Sequence, residues 1–149
     1  MMMYQGYRPA KVLVAAASLA TLGAGTPTSA ITVELQGMRN ERGVLRMCLT
    51  KAAAHFPDCE GDADAVKLSV DASMRLVSLP AVSPGAYALS VIHDENGNGK
   101  LDTTLGIPRE GFGFSRNPAI GFGPPAFARV RFVAEAGESR EMVKLRYLL

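Results

Sequence analysis

Residues 87–102 read YALSVIHDENGNGKLD. In the first half, Tyr87, Leu89 and Val91 recur at every second position, which predicts a strand with one buried apolar face. The second half is a run of Asp, Asn and Gly, which indicates a tight turn where that strand ends. A short strand that ends in a polar turn is the unit from which the fold can be built.

The same two-residue period recurs along the chain, and helical spacing is nearly absent. About seven short strands with polar turns predict an all-β fold, a single antiparallel β-sandwich of immunoglobulin-like or transthyretin-like type. We expect the turn at residues 71–73 to join two of these strands as a hairpin. Residues 50–56 form at most one or two helical turns. The other predicted strands cover residues 31–35, 44–49, 66–70, 74–79, 130–133 and 142–147.

Residues 1–30 have the layout of a secretory signal peptide. Arg8 and Lys11 supply positive charge, residues 12–20 are apolar, and Thr28-Ser29-Ala30 is a small-residue cleavage site. The apolar run is shorter than the roughly 20 residues that a membrane-spanning helix needs. We therefore expect an exported protein, periplasmic or extracellular, whose single domain covers residues 31–149 and has no transmembrane segment.

The charge balance argues against nucleic acid as a partner. The chain has 16 basic and 14 acidic residues. Removal of Arg8 and Lys11 with the signal peptide would leave 14 of each, so the expected mature chain has no basic excess. Nucleic-acid binding depends on a basic stripe or patch, which this composition does not predict.

Cys48 and Cys59 are the two cysteines of the chain. In an oxidising compartment the pair favours a disulfide, which would contribute roughly 2–3 kcal/mol by restricting the unfolded chain. Two unpaired thiols, with Cys48 buried in a strand, are the alternative.

The turn after residue 93 has the spacing of a calcium-binding loop. Asp94, Asn96 and Asn98 alternate before Gly99, the backbone carbonyl of Lys100 would be the next ligand, and Asp102 would follow. Oxygen ligands at alternate positions of a tightly curved loop converge on one point, which is what calcium requires.

The calcium pattern is incomplete. The position that should carry a bidentate Glu is Leu105, and Glu110, the nearest later carboxylate, would have to fold back. Any site would bind weakly, with a dissociation constant of about 10⁻⁴–10⁻³ M. The alternative is a turn without metal, because Asn-Gly pairs favour tight hairpin turns and Asx side chains cap their own backbone.

Residues 103–126 are rich in Gly and Pro and too long for a plain connection. We expect an ordered loop that packs Phe112, Phe114 and Phe122 on the sandwich. If these rings were exposed instead, they could form a stacking platform for a carbohydrate or a peptide.

No catalytic residue is predicted. Ser115 and His93 could form a nucleophile and a base, or His93 could act with Asp102 or Glu110, but none of them lies in a recognisable catalytic motif. A hydrolase stays an alternative that requires these groups to meet in a cleft within hydrogen-bond reach.

HDENGNGKLD, LGIPREGFGFS and FGPPAF together resemble the pattern of an uncharacterised bacterial exported family, domain of unknown function 2141. The resemblance covers roughly residues 31–147. It implies export and a small size, and it gives no reaction. A weaker similarity, carried by Pro84-Gly85-Ala86-Tyr87 and the Asp/Asn/Gly loop, is to transthyretin-like and collagen-adhesin B-type sandwiches, some of which bind calcium in such loops.

These observations predict an exported, non-catalytic module with a protein or glycan partner. Weak calcium binding at the loop is the leading site hypothesis, and carbohydrate or peptide binding by the phenylalanine loop is the second.

Overall fold

The structure is a computed structural model that describes residues 25–149. Most of the predicted signal peptide, up to residue 24, lies outside the described residues. The first strand already begins at Ser29, two residues before the predicted start of the mature domain. Of the described residues, none belongs to a helix long and apolar enough to cross a membrane.

Ten strands and two very short helices make up the described chain. The helices are a 3₁₀ turn at Ala53–His55 and α1 at Phe127–Val130. The strands are β1 Ser29–Gln36, β2 Val44–Thr50, β3 Val66–Asp71, β4 Leu76–Ser78, β5 Gly85–Asp94, β6 Thr103–Thr104, β7 Ile107–Pro108, β8 Gly111–Phe114, β9 Phe132–Ala134 and β10 Gly137–Lys144.

The first sheet has the strand order β10-β1-β4. One of its two strand pairs is parallel, since β1 and β10 run side by side from Ser29↔Gly137 to Gln36↔Lys144. From the sequence we expected a purely antiparallel sandwich, and this parallel pair is a departure from that expectation. A period of two is the same in both kinds of sheet, so it could not reveal the direction of this pair.

The second sheet has the order β3-β2-β5-β8 and is antiparallel throughout. β5 is its longest strand. The first residues of β5 pair with β9 and its last residues pair with β8, both on the side opposite β2. The sheet therefore carries β5 through the middle of the molecule and delivers Asp94 to one rim.

The two sheets face each other across one hydrophobic core, which confirms the predicted all-β sandwich. Leu35 from β1, Leu89 from β5 and Leu145 just after β10 are all buried in that core. Tyr87, Leu89 and Val91 form the predicted inward row of β5.

The predicted hairpin across residues 71–73 is wrong. β3 pairs with β2 in the second sheet, whereas β4 pairs with β1 in the first, where Val77 lies opposite Val33. The chain crosses between the sheets at Ala72, which is fully buried and donates its N–H to the carbonyl of Gly43. Alternation marks a strand but does not say which sheet it joins.

The long Gly/Pro/Phe segment is ordered and contains strands that the sequence did not predict. β6 and β7 form a two-residue hairpin, and β8 extends the second sheet. Val130, expected to start a strand, instead ends α1.

The predicted disulfide between Cys48 and Cys59 is present, with 5.7 Å between the Cα atoms. It ties the segment after β2 to the outer face of the second sheet. Such a bond is consistent with an oxidising compartment.

Candidate functional site

The loop that follows β5 is built around the carboxylate of Asp94. Asp94 is the last residue of β5 and is completely buried. One of its oxygens, Oδ2, accepts a hydrogen bond of 2.7 Å from Nε of Arg46, which reaches across from β2. The cation nearest to this carboxylate is therefore a side chain of the neighbouring strand.

Backbone N–H groups of the loop take the remaining hydrogen-bonding capacity of Asp94. The N–H of Asn98 donates to Oδ1 at 3.1 Å, and the N–H of Gly99 donates to Oδ2 at 2.8 Å. Asn96 and Asn98 act in the same way, since their Oδ1 atoms accept the N–H groups of Asn98 and Lys100, each at 3.0 Å. These are Asx turns, the arrangement that such side chains adopt without any metal.

Two further carboxylates close the loop. Asp102 accepts hydrogen bonds from the side-chain amides of Asn96, at 2.6 Å, and Asn98, at 2.9 Å. Glu110 does fold back, but onto main-chain donors: its two oxygens accept the N–H groups of Glu95, at 2.9 Å, and Asp102, at 3.0 Å. Glu110 is itself buried, so it pins the two ends of the loop together.

The polar atoms of this loop are hydrogen-bonded without a calcium ion. The side-chain oxygens of Asp94, Asn96, Asn98 and Asp102 point at N–H donors, and Arg46 already balances the buried charge. Across residues 25–149, no three His, Cys, Asp or Glu side chains are grouped so that they could hold a metal ion. Calcium at this loop, with the Lys100 carbonyl as a ligand, stays a prediction, and the geometry favours the metal-free turn.

Hydrogen bonding lowers the pKa of Asp94 and of Asp102 and so favours their ionised forms. Burial acts to raise the pKa of Asp94, but hydrogen bonds from Arg46 and from the N–H of Gly99 outweigh it and leave that pKa below its usual range. The amide groups of Asn98 and Asn96 lower the pKa of Asp102.

An ion pair that the sequence analysis missed holds this loop to the rest of the rim. Arg39 donates from Nε to Oε1 of Glu95 at 3.0 Å and from Nη2 to Oε2 at 2.6 Å. Its guanidinium also lies 4.5 Å from the ring centre of Tyr147 and donates to the carbonyl of Leu149 at 2.7 Å. Glu95 lies 56 positions and Leu149 lies 110 positions from Arg39 in the sequence, and no local pattern predicts contacts over such separations.

His93 is a structural residue in this arrangement. Its Nε2 lies 2.7 Å from the carbonyl of Arg42, and its Nδ1 lies 2.6 Å from the hydroxyl of Tyr147. Because a carbonyl only accepts, we assign the proton to Nε2, so that Nδ1 accepts from Tyr147. Both ring nitrogens are occupied, and neither contacts Asp102 or Glu110.

Ser115 is also structural. It is fully buried, accepts the N–H of Leu89 at 3.0 Å and donates to the carbonyl of Val130 at 2.6 Å. It fills the gap on β5 between the residues paired with β9 and those paired with β8. No hydrogen bond therefore joins Ser115 to His93, the nucleophile and base considered in the hydrolase alternative.

The three phenylalanines do not form one exposed platform. Phe112 and Phe114 are buried on the outer face of the second sheet, as expected, whereas Phe122 is fully exposed. Phe112 and Phe114 belong to a second, smaller hydrophobic cluster with Ala88 and Val130. A three-ring stacking surface for sugars is thus absent from the described chain.

Next to this cluster lies an apolar cavity of about 260 Å³. Its floor is the outer face of β5 and β8, with Ile92, Phe112 and Phe114. The β6–β7 hairpin forms one wall and residues 120–124 form the other. Apart from the phenylalanines, the sequence carries no signal for this cavity, because its walls come from segments that have no strand or helix pattern.

The chain matches the model of a family described as an uncharacterised protein conserved in bacteria, domain of unknown function 2141 (DUF2141), over residues 33–142. The chain belongs to the DUF2141 family. The DUF2141 match includes all residues of the Asp94 loop and the β6–β7 hairpin, β8 and residues 120–124. It therefore covers most of the two features described above.

No curated protein and no solved structure matches the chain. The weaker similarity to transthyretin-like and collagen-adhesin modules thus gains no support, and the DUF2141 assignment carries no activity with it. Function has to be argued from the site itself.

Proposed function

We propose that this DUF2141 protein is an exported, non-catalytic β-sandwich module that binds an apolar group in the cavity over β5 and β8. The observation that carries the proposal is the cavity itself, whose floor is made of Ile92, Phe112 and Phe114. An apolar concave site of this kind is the usual form of a small-molecule site, although this one lies just below the common size range of about 300–1,000 Å³.

The chemistry of the lining supports an apolar ligand over a carbohydrate. Ser90 lines the cavity, but its hydroxyl already donates to the carbonyl of Pro57. Asp58 also lines it, and one oxygen of its carboxylate accepts the N–H of Glu60 at 2.9 Å. A sugar needs several free donors and acceptors in its site, because an unpaired buried hydroxyl is costly.

Binding is favoured over catalysis by the state of the reactive side chains. His93 and Ser115 are buried, and their polar atoms are engaged with other parts of the fold. Across residues 25–149, no buried side-chain nitrogen or oxygen lacks a hydrogen-bond partner. Export is supported by the layout of residues 1–30 and by the disulfide.

The test is titration of the purified protein with N-phenyl-1-naphthylamine, a neutral probe that fluoresces in apolar surroundings. Thr103→Phe should fill the cavity from its wall, since Thr103 lines it and is exposed. Val133→Phe is the matched control, because Val133 is exposed on β9 and is not part of the lining.

We expect saturable binding by the wild type and by Val133→Phe, and affinity about tenfold weaker for Thr103→Phe because the added ring occupies the space of the probe. No saturable binding by the wild type would overturn the proposal. So would equal affinity of Thr103→Phe and the wild type.

A further inference from the structure

Two large apolar side chains close to the cavity are exposed and do not pack in a hydrophobic core. Leu105, at the tip of the β6–β7 hairpin, is 98% exposed, and Phe122 is fully exposed. Their neighbours Gly106, Gly121 and Gly123 line the cavity from its two walls. Leu105 and Phe122 are thus exposed apolar side chains directly beside residues that line the cavity, and we call them the two apolar tips.

The backbone conformation at position 105 is a second reason why a leucine is unfavourable there. Thr104 pairs with Ile107, so Leu105 and Gly106 form a two-residue hairpin turn, with φ angles of 52° and 78°. Turns with positive φ at both central residues strongly favour Asn-Gly or Asp-Gly, because Asn and Asp tolerate the left-handed conformation better than other residues with a side chain. Leucine at the first position thus adds backbone strain to the exposure of its side chain.

A residue that is disfavoured locally on two independent grounds points to a role outside the isolated fold. Phe122 is comparable, because a phenylalanine between two glycines gains no packing from its neighbours. Beside an apolar cavity, such side chains extend the exposed apolar surface, and extended apolar surfaces mark contacts with another protein or with a membrane.

The arrangement of the exposed apolar side chains favours a membrane over a protein partner. A protein partner is bound by a contiguous apolar core surrounded by a polar rim. Here the two apolar tips belong to separate segments, and residues beside each of them line the apolar cavity. Fully exposed apolar side chains on turns can insert between lipids, and the cavity beside them is lined by groups that suit a hydrocarbon chain.

We propose that the two apolar tips enter the surface of a lipid bilayer and that the cavity receives an acyl chain of a lipid from that bilayer. The inference rests on the proposed function, since it names the apolar group that the cavity binds. The hydrocarbon chain needs no hydrogen-bond partner, which matches a lining whose Ser90 hydroxyl is already engaged.

The experiment is co-flotation of the purified protein with vesicles of phosphatidylethanolamine and phosphatidylglycerol. The variants are Leu105→Asn and Phe122→Ser. Leu105→Asn should not impair folding, because it introduces the Asn-Gly pair that this type of turn favours. Leu76→Asn is the matched control, since Leu76 is a half-exposed leucine of β4 on the other sheet.

We expect the wild type and Leu76→Asn to float with the vesicles. Each tip variant should partition about tenfold more weakly, the loss that follows from withdrawing one large apolar side chain from lipid. Both tip variants should still bind N-phenyl-1-naphthylamine as the wild type does, because neither Leu105 nor Phe122 lines the cavity.

Acyl-chain uptake is read separately, with lipids that carry a fluorescent acyl chain. Thr103→Phe should float with the vesicles but lose the emission change of the labelled chain. Probe binding without vesicle flotation by the wild type would overturn the lipid inference and leave the proposed function intact. Flotation with equal emission for Thr103→Phe and the wild type would overturn the acyl-chain assignment.

Discussion

At the scale of single residues, the Asp94 loop is held by the protein's own donors. A buried carboxylate needs a cation or several N–H groups, and Asp94 has Arg46 together with the N–H groups of Asn98 and Gly99. The residues that predict a calcium ligand set are the same ones that make Asx turns, so their spacing alone cannot separate the two.

Replacement of Arg46 by methionine tests the role of this cation. Arg46→Met keeps much of the aliphatic stem but leaves the buried carboxylate of Asp94 without its ion pair. We expect the free energy of unfolding to fall by about 2 kcal/mol, less than for a fully buried pair because the backbone donors remain. Urea denaturation measures the change.

Arg42→Met is the control for Arg46→Met. The guanidinium of Arg42 is largely exposed and lies 4.0 Å from Glu95, so its loss should change stability by no more than about 0.5 kcal/mol. Equal effects of the two variants would contradict the role given to Arg46.

Because Arg46 and the N–H donors already satisfy Asp94, millimolar Ca²⁺ should leave the melting temperature of the wild type unchanged. A rise in the melting temperature would support the calcium site.

Acid should weaken the rim through Glu95. The hydrogen bonds from Arg39, assisted by Asn40, lower the pKa of Glu95 from 4.5 to about 2. A lowered pKa in the folded state means stability that is fully present above pH 4.5 and is lost as the pH falls towards about 2.

The measurement is the free energy of unfolding against pH for the wild type and for Glu95→Gln. We expect the wild type to be more stable above pH 4.5 and the difference to shrink as the pH approaches 2. Glu138→Gln, at an exposed position of β10, serves as control. A difference that does not depend on pH would contradict this account.

At the scale of elements, β8 explains the Gly-Phe-Gly-Phe pattern. Its phenylalanines face outward and form the cavity floor, while Gly111 and Gly113 face the opposite way. A Cβ on Gly113 would lie 2.7 Å from Cγ1 of Val143 and 3.0 Å from the carbonyl of Lys144, so the strand lies against β10 only because no side chain intervenes.

Gly113→Ala should therefore destabilise the fold by about 1–3 kcal/mol through overpacking. Gly121→Ala is the matched control, because a Cβ there would meet no atom within 4 Å. Thermal or urea unfolding of the two variants decides the point. If Gly121→Ala destabilised the protein as much as Gly113→Ala, the close approach of β8 to β10 would not be the cause.

The start of β1 bears on where the proposed signal peptide would be cleaved. Ser29 is fully buried and exchanges two main-chain hydrogen bonds with Val82, at 2.7 and 3.0 Å, and the carbonyl of Thr28 accepts the N–H of Gly137 at 2.9 Å. A protein that begins at residue 31 would lack these three bonds. We expect it to be about 2–4 kcal/mol less stable than one that begins at residue 25.

A protein that begins at residue 27 is the control for this truncation, because residues 25 and 26 are exposed. Its stability should equal that of the longer chain. Mass spectrometry of the mature protein then tests the consequence, which is that the proposed signal peptide is cleaved before Thr28 rather than after Ala30. A mature N-terminus at Ile31 together with unchanged stability would refute it.

At the scale of the whole molecule, a second layer lies on the outer face of the second sheet. The disulfide, α1 and the two walls of the cavity all cover that face, and the smaller cluster of Phe112, Phe114 and Val130 lies beneath them. A sandwich can leave the outer face of a sheet in water, so the additional layer is what gives this molecule its cavity.

Period and turn chemistry were enough to predict most of the longer strands and the sandwich, because those signals are local in sequence. The disulfide was predicted from the two cysteines and the expected compartment. Tyr87, Leu89 and Val91 identify the inward face of β5 without any knowledge of its neighbours. The sheet partners of β3 and β4 and the parallel pairing of β1 with β10 could not be predicted, since alternation is the same for every partner.

The sequence by itself determined an all-β sandwich and a polar loop of recognisable spacing, and it favoured a bond between Cys48 and Cys59. Only the tertiary structure decided that Arg46 and Glu110 satisfy that loop and that Phe112 and Phe114 form a floor while Phe122 stands free. The physical reason is distance along the chain: an ion pair or a cavity wall forms between segments that alternation and turn signals describe one at a time.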